Sequence, residues 1–194
     1  GEAAAMRERF PGGWIAIQVS AEFGDDATLE ALAAGLDRLR RDTGLGLVMF
    51  CAGRAPWHDD PAVLHRLRAR LAAPAECIVA AGTNLLELCA LLAGCTLCLA
   101  SSLHARIVAE AFARPAASLV LASAREQGDK LRAYLETWHG DSLHLHHAEA
   151  AGTIGAAGAA LAEPAHGRHA RAAKLAGLAE TAFQRCLAAL ARSG

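Results

Sequence analysis

Ser101-Ser102-Leu103-His104 sets two hydroxyls and an imidazole side by side, where the apolar run Cys95-Thr96-Leu97-Cys98-Leu99-Ala100 hands over to a helical pattern. A helix start exposes backbone N–H groups and the positive end of its dipole, so the tetrapeptide reads as a cradle for a phosphate or an oxyanion with a titratable group beside it. The same residues admit a second account, in which Ser101 caps the helix and His104 fills its N3 position. His58-Asp59-Asp60 follows an earlier apolar run and offers contacts to a sugar or a donor, although Asp60-Pro61 is equally a helix start. Thr83-Asn84 has the same double meaning, because Asn84 and Glu87 match a capping box. Gln18 ends the first apolar run, on the same edge. The candidate cations for a phosphate are Arg54, Arg106 and Lys130, and Lys130 is one of only two lysines among 19 basic residues. An exposed helical lysine is the competing account of Lys130, and Arg106 is open to the same reading.

Other clusters lead away from common chemistries. Cys95-x-x-Cys98 has no second ligand pair for zinc, and it lies in a strand-like run where a thioredoxin-type motif would open a helix, so both cysteines read as core. His144 and His146 share one strand face and His147 takes the other, so the three do not converge on a metal. His166 and His169 are one helical turn apart and lack the glutamate of a metalloprotease pair. No G-x-G-x-x-G, G-K-[ST] or G-x-S-x-G element occurs, which argues against nicotinamide, P-loop nucleotide and α/β-hydrolase chemistry. Neither a metal nor a cofactor is expected.

The elements that must position these residues alternate. Trp14–Val19, Leu45–Cys51, Glu76–Ala80, Cys95–Ala100 and Ala116–Leu121 read as buried strands. Between them, Asp26–Arg41, Pro61–Leu71, Asn84–Leu92 and Ser101–Arg114 carry helical spacing with stop signals at Gly44 and Pro115. Strict β/α alternation with short links predicts a Rossmann-like parallel sheet with helices on both faces, whose ligand edge is the carboxyl ends of the strands. Lys130–Trp138 reads as a short helix and Ser142–His146 as a small strand. Residues 1–147 form this lobe. In residues 148–194, Ala148–Pro164 is Ala/Gly-rich and reads as a weak helix or a connector, and His166–Arg192 is a long terminal helix packed on the domain or on a partner domain.

The segment from Ala93 to Pro115 resembles the signature of the polysaccharide pyruvyl transferase family, in which a strand ends in an Arg/Ser-Leu-His-Gly/Ala element and a helix leads to a Gly-x-Pro-like turn. Trp14–Ser20, Trp57-His58-Asp59-Asp60, Lys130–Tyr134 and Thr137-Trp138 extend the likeness. It implies the C-terminal lobe of a GT-B-like, two-domain transferase whose N-terminal lobe lies elsewhere. It also implies an activity, transfer of pyruvate from phosphoenolpyruvate to a sugar of a cell-surface glycan or lipid-linked acceptor as a ketal. His104 would then be the acid/base or donor contact. Ser101, Ser102 and the helix N-terminus would hold the phosphate. Many family members have Arg at the position of Ser102 and Gly at that of Ala105, which leaves the donor open. The alternatives are a GT-B-like glycosyltransferase lobe using a nucleotide sugar, and a non-catalytic binding domain.

At 194 residues and 54% hydrophobic, with 19 basic against 20 acidic residues, the chain suits one globular domain and excludes disorder. The charge balance argues against a nucleic-acid partner, and the most apolar tract, Leu88–Ala100, is too short to span a membrane. Six cysteines set in apolar runs fit a reducing, cytoplasmic compartment. The opening Gly1-Glu2-Ala3-Ala4-Ala5 resembles the middle of a protein, so a fragment is expected.

Overall fold

Trp14-Ile15-Ala16-Ile17-Gln18 is buried at all five positions, as a strand is when helices cover both faces of its sheet. It forms β1 (Trp14–Gln18) in a computed structural model that describes residues 2–53, 59–80, 84–121, 125–139, 145–147 and 150–192. The other strands are β2 (Gly46–Met49), β3 (Cys77–Val79), β4 (Leu97–Ala100), β5 (Ala116–Val120) and β6 (Leu145–His147). They pair in the order β3-β2-β1-β4-β5-β6, and every neighbouring pair is parallel. This is the doubly wound arrangement, with its reversal of strand order between β1 and β4.

Alternate residues of each strand feed two cores. Ile15, Ile17, Leu47, Met49, Leu97 and Leu99 pack on one side with Leu29, Leu32 and Leu36 of α2 (Asp26–Thr43) and Val63, Leu64 and Leu67 of α3 (Pro61–Arg70). Ala16, Val48, Phe50, Cys98 and Ala100 face the other way, toward Leu91 and Leu92 of α4 (Leu85–Gly94) and Ala105 and Ala109 of α5 (Leu103–Ala111). The helix ends carry the signals expected of them. Asp25 accepts from Thr28 N at 2.8 Å to cap α2, which ends at Gly44 in the left-handed region with φ 71°.

α1 (Glu2–Arg9) had no counterpart in the periodicity. Met6 from this helix and Phe10 just after it join the second core, and Phe10 lies so close to Gly46 that a Cβ there would sit 2.2 Å from its ring. α6 (Arg125–His139) is longer than the expected helix at both ends and stands beside α5, where the Tyr134 hydroxyl donates to Glu110 Oε2 at 2.7 Å.

The Ala/Gly-rich stretch resolves in favour of a helix, α7 (Ala150–Ala162), and it belongs to the lobe's interior. A right-handed crossover that moves from β3 to β4, β5 and β6 keeps its helices on one face, which leaves the opposite face of β4 and β5 bare. α7 covers it. Thr153, Ala156, Ala157 and Ala160 are buried at i, i+3, i+4 and i+7, and small side chains let the helix lie close to the sheet and to α2. α8 (Ala165–Arg192) follows and packs against α5. Arg168 Nε donates to the Ala113 carbonyl at 3.1 Å near its start, and no residue along its length is buried.

Candidate functional site at the reversal of strand order

After β1 the chain crosses to α2 on one face, and after β4 it crosses to α5 on the other, so a crevice opens between the two loops at the carboxyl ends of the strands. Gln18 pairs in register with Ala100, and the Ser101 amide donates to the Gln18 carbonyl at 3.0 Å, which carries the sheet ladder to the lip of that crevice.

Gln18 is 1% exposed, and its side chain makes three hydrogen bonds. Its Oε1 accepts from the Ser102 amide at 2.8 Å and from the Ser101 hydroxyl at 3.2 Å. Its Nε2 donates to Asp59 Oδ1 at 2.7 Å, and Asp59 Oδ2 accepts from the Gly53 amide at 2.8 Å. Ser101 Oγ in turn accepts from the Ser20 amide at 2.9 Å. Three loops, those after β1, β2 and β4, are therefore joined through one buried amide side chain.

This network reassigns several candidates. Ser101 was expected to hold a phosphate; its hydroxyl is buried and ties the β1 loop to the β4 loop. The cap of α5 is Ser102, whose Oγ accepts from the Ala105 amide at 3.4 Å, so His104 occupies the second helical position and not N3. Gln18 and Asp59 are bonded to one another, where direct substrate contact had been expected. Asp60 accepts from Ala62 N at 2.8 Å and Asn84 from Glu87 N at 2.9 Å, so each caps its helix, α3 and α4. Lys130 is exposed on the second turn of α6. Arg54, His58 and Thr83 lie outside the described residues, as do His144 and Trp57.

Arg106 is the clearest correction. A donor-binding cation must reach the ligand edge, whereas Arg106 is 1% exposed and points into the lobe. Its Nε donates to Glu110 Oε1 at 2.7 Å and its Nη1 to Ser118 Oγ at 3.0 Å, while Tyr134 bonds the other carboxylate oxygen. Burial and the neighbouring Glu110 carboxylate push the Tyr134 hydroxyl above its usual range, which keeps it a donor. A buried charge is tolerable only when paired and hydrogen-bonded in this way.

What remains at the crevice is a small set of groups. Ser102 N is taken by Gln18, Ala105 N by the cap, and Arg106 N donates to the Ser102 carbonyl at 3.2 Å. Among the described residues this leaves the Leu103 and His104 amides as the unclaimed donors of the first turn, with the His104 side chain exposed beside them. Ser20, which was not singled out as a site residue, adds a hydroxyl that is buried with no partner among the described residues. Two amides at a helix N-terminus, an imidazole and a spare hydroxyl can bind an anion and exchange a proton with it.

Three of the six cysteines are core groups, while Cys51 and Cys89 are half-buried and Cys186 is exposed. Cys77, Cys95 and Cys98 are buried, and desolvation raises the first two thiols to about 12, so all three stay protonated at neutral pH. No cluster of metal-ligating side chains and no helix long and apolar enough to cross a membrane is present among the described residues.

The fold defines the class, an α/β lobe of GT-B-like type. No protein-family model and no curated protein sequence matches the chain. Among solved structures, it is similar to the S. aureus MnaA–UDP co-structure, with TM-score 0.54 and 17% identity over 78% of this chain and 37% of that one. It is also similar to the UDP-GlcNAc 2-epimerase from Neisseria meningitidis bound to UDP-GlcNAc, with TM-score 0.50 and 14% identity over 87% of this chain and 42% of that one. The chain thus spans about two fifths of the length of the structures it matches. At these identities the likeness is one of fold.

Proposed function

We propose that this chain is the donor-binding lobe of a two-lobed transferase, that its donor is phosphoenolpyruvate, and that the pyruvyl group is passed to two hydroxyls of a sugar on a glycan or lipid-linked acceptor. The observation that carries the reading is the first turn of α5, where the Leu103 and His104 amides and an exposed imidazole meet at the reversal of strand order. The likeness of Ala93–Pro115 to the pyruvyl transferase signature supports the choice of donor.

The chemistry suits these groups. Protonation of the donor's methylene carbon makes the methyl group and leaves the adjacent carbon electrophilic. Two sugar oxygens bond to that carbon, and its bond to the phosphate oxygen breaks. Of the two hydroxyl protons, one balances the proton taken up by the methylene and the other leaves with phosphate. His104 would deliver or accept a proton, and the helix-end amides would hold the phosphate as its charge develops. The acceptor would be presented by an N-terminal lobe, in the cytoplasm, where the six thiols stay reduced.

A second reading has specific support. Two of the solved structures hold UDP or UDP-GlcNAc, and the same pair of amides could receive a diphosphate. Calorimetric titration separates the two. Binding of phosphoenolpyruvate, with UDP-GlcNAc silent, is the outcome expected; the reverse pattern would replace pyruvyl transfer with a sugar-nucleotide function.

A further inference from the structure

We infer that Gln18 is a positioning residue, which sets the anion-binding turn of α5 by locking it to the Asp59 carboxylate. The inference rests on the reading of that turn as a phosphate site.

An anion at a helix N-terminus is held by amides whose direction is fixed before it arrives, because amides that must be ordered on binding lose affinity to entropy. Capping fixes only part of this turn. The Ser102 hydroxyl holds the Ala105 amide, but nothing in α5 itself holds the Ser102 amide, which is the hinge between β4 and the helix. Gln18 supplies that hold through Oε1. The same group accepts the Ser101 hydroxyl, so the segment is fixed at two successive residues from one buried atom.

An amide side chain buried at the end of a strand could rotate its O and N ends. Here its orientation is dictated by chemistry. Ser102 N only donates, so it requires oxygen, and Asp59 only accepts, so it requires nitrogen; the Ser101 hydroxyl, able to do either, then donates to that oxygen. Asp59 is the group that keeps the Gln18 carbonyl oxygen aimed at α5, and it is itself held on its other oxygen by Gly53 N. The link is charge-assisted, which makes it stronger than the neutral bonds it orients. The consequence is that Gly53 and Asp59, which follow β2, and the phosphate-binding turn after β4 are linked through Gln18, although they come from strands on opposite sides of β1.

The positioning role is separable from simple electrostatics by its sign. Asp59 brings a negative charge to the edge where an anion binds. If it acted by charge alone, Asp59→Asn would strengthen anion binding. If it acts by orienting Gln18, the same change weakens binding, because an asparagine cannot accept at both oxygens from Gln18 and Gly53 without turning an NH2 toward a donor.

The experiment follows inorganic phosphate and phosphoenolpyruvate binding by amide chemical shifts in the wild type, Asp59→Asn and Gln18→Leu, with circular dichroism to establish that each variant is folded. Binding about tenfold weaker in Asp59→Asn, the equivalent of one hydrogen bond, and weaker again in Gln18→Leu is the expected result. Hydrogen exchange at the Ser102 amide should quicken in both variants without any ligand. Unchanged or tighter binding in Asp59→Asn, with Ser102 exchange unaltered, overturns the positioning role and leaves the phosphate site standing. A wild type that binds neither anion overturns the site itself, and with it this inference.

Discussion

At the scale of the residue, the buried Arg106, Glu110 and Ser118, joined by the half-buried Tyr134, are the most demanding feature among the described residues. Glu110 is 6% exposed and Arg106 1%. Removing one partner of such a pair strands the other charge, at a cost of about 3–5 kcal/mol. Glu110→Gln should therefore lower the unfolding free energy by about that amount in urea, while Tyr134→Phe, which removes one hydrogen bond to the carboxylate, should cost about 1–3 kcal/mol. Similar losses for the two variants would show that the charge pair is not what holds α5. Arg106 and Glu110 stand four positions apart on α5, on the inward face that the buried Ala105 and Ala109 share. A charged residue on an inward face contradicts the usual pattern, and that is why the arginine reads as a ligand until its partner is seen. The cap falls on Ser102 and not on Ser101 for a simpler reason. A one-residue shift in where the helix begins decides which hydroxyl caps it.

Elements were legible where apolar residues of contrasting size mark a period. The strands and the amphipathic helices α2 to α5 satisfy that condition, and each lies within a few residues of its expected place. α7 does not. Its buried Thr153, Ala156, Ala157 and Ala160 have the correct spacing, but the opposite face is also alanine and glycine, so no contrast reveals it. The end of α5 carries its own prediction. Ala113 takes the left-handed conformation with φ 53°, its amide donates to Glu110 O at 2.9 Å, and the Arg114 amide donates to Ala109 O at 2.9 Å. This is a Schellman cap with alanine at the position that favours glycine. Ala113→Gly should raise the unfolding free energy by about 0.5–1 kcal/mol, since relief of the left-handed strain exceeds the added chain entropy of glycine. A decrease would mean that the Cβ contributes more by packing than it costs by strain.

The thiols connect this scale to pH. Cys77 and Cys95 titrate at about 12 in the folded chain against 9.0 for an ordinary thiol. Between those values the unfolded chain has lost protons that the folded chain keeps, so stability falls as pH rises above about 9. Alkaline denaturation should begin there, and replacing both cysteines with alanine should move its onset to higher pH.

For the whole molecule, α8 is the outlying feature. Its apolar residues Leu178, Phe183, Leu187 and Leu190 are 45%, 61%, 44% and 71% exposed, while its start is tied to the end of α5 by the Arg168 bond to the Ala113 carbonyl. The other described residues form a doubly wound sheet with helices on both faces, and its strand order reverses between β1 and β4. Its strand order places Gln18 and Ser101 side by side, although 83 positions separate them in sequence. That juxtaposition could not be read from spacing; only the rule that ligands sit where the strand order reverses pointed to it. The central claim is that a phosphorylated donor lies at that reversal, on the first turn of α5. Titration of isotopically labelled protein with phosphoenolpyruvate, followed by amide chemical shifts, tests it directly. The account predicts the largest saturable shifts at Leu103 and His104, with Ser20 among the next. Saturable shifts confined to other parts of the lobe, with the first turn of α5 unmoved, would contradict it.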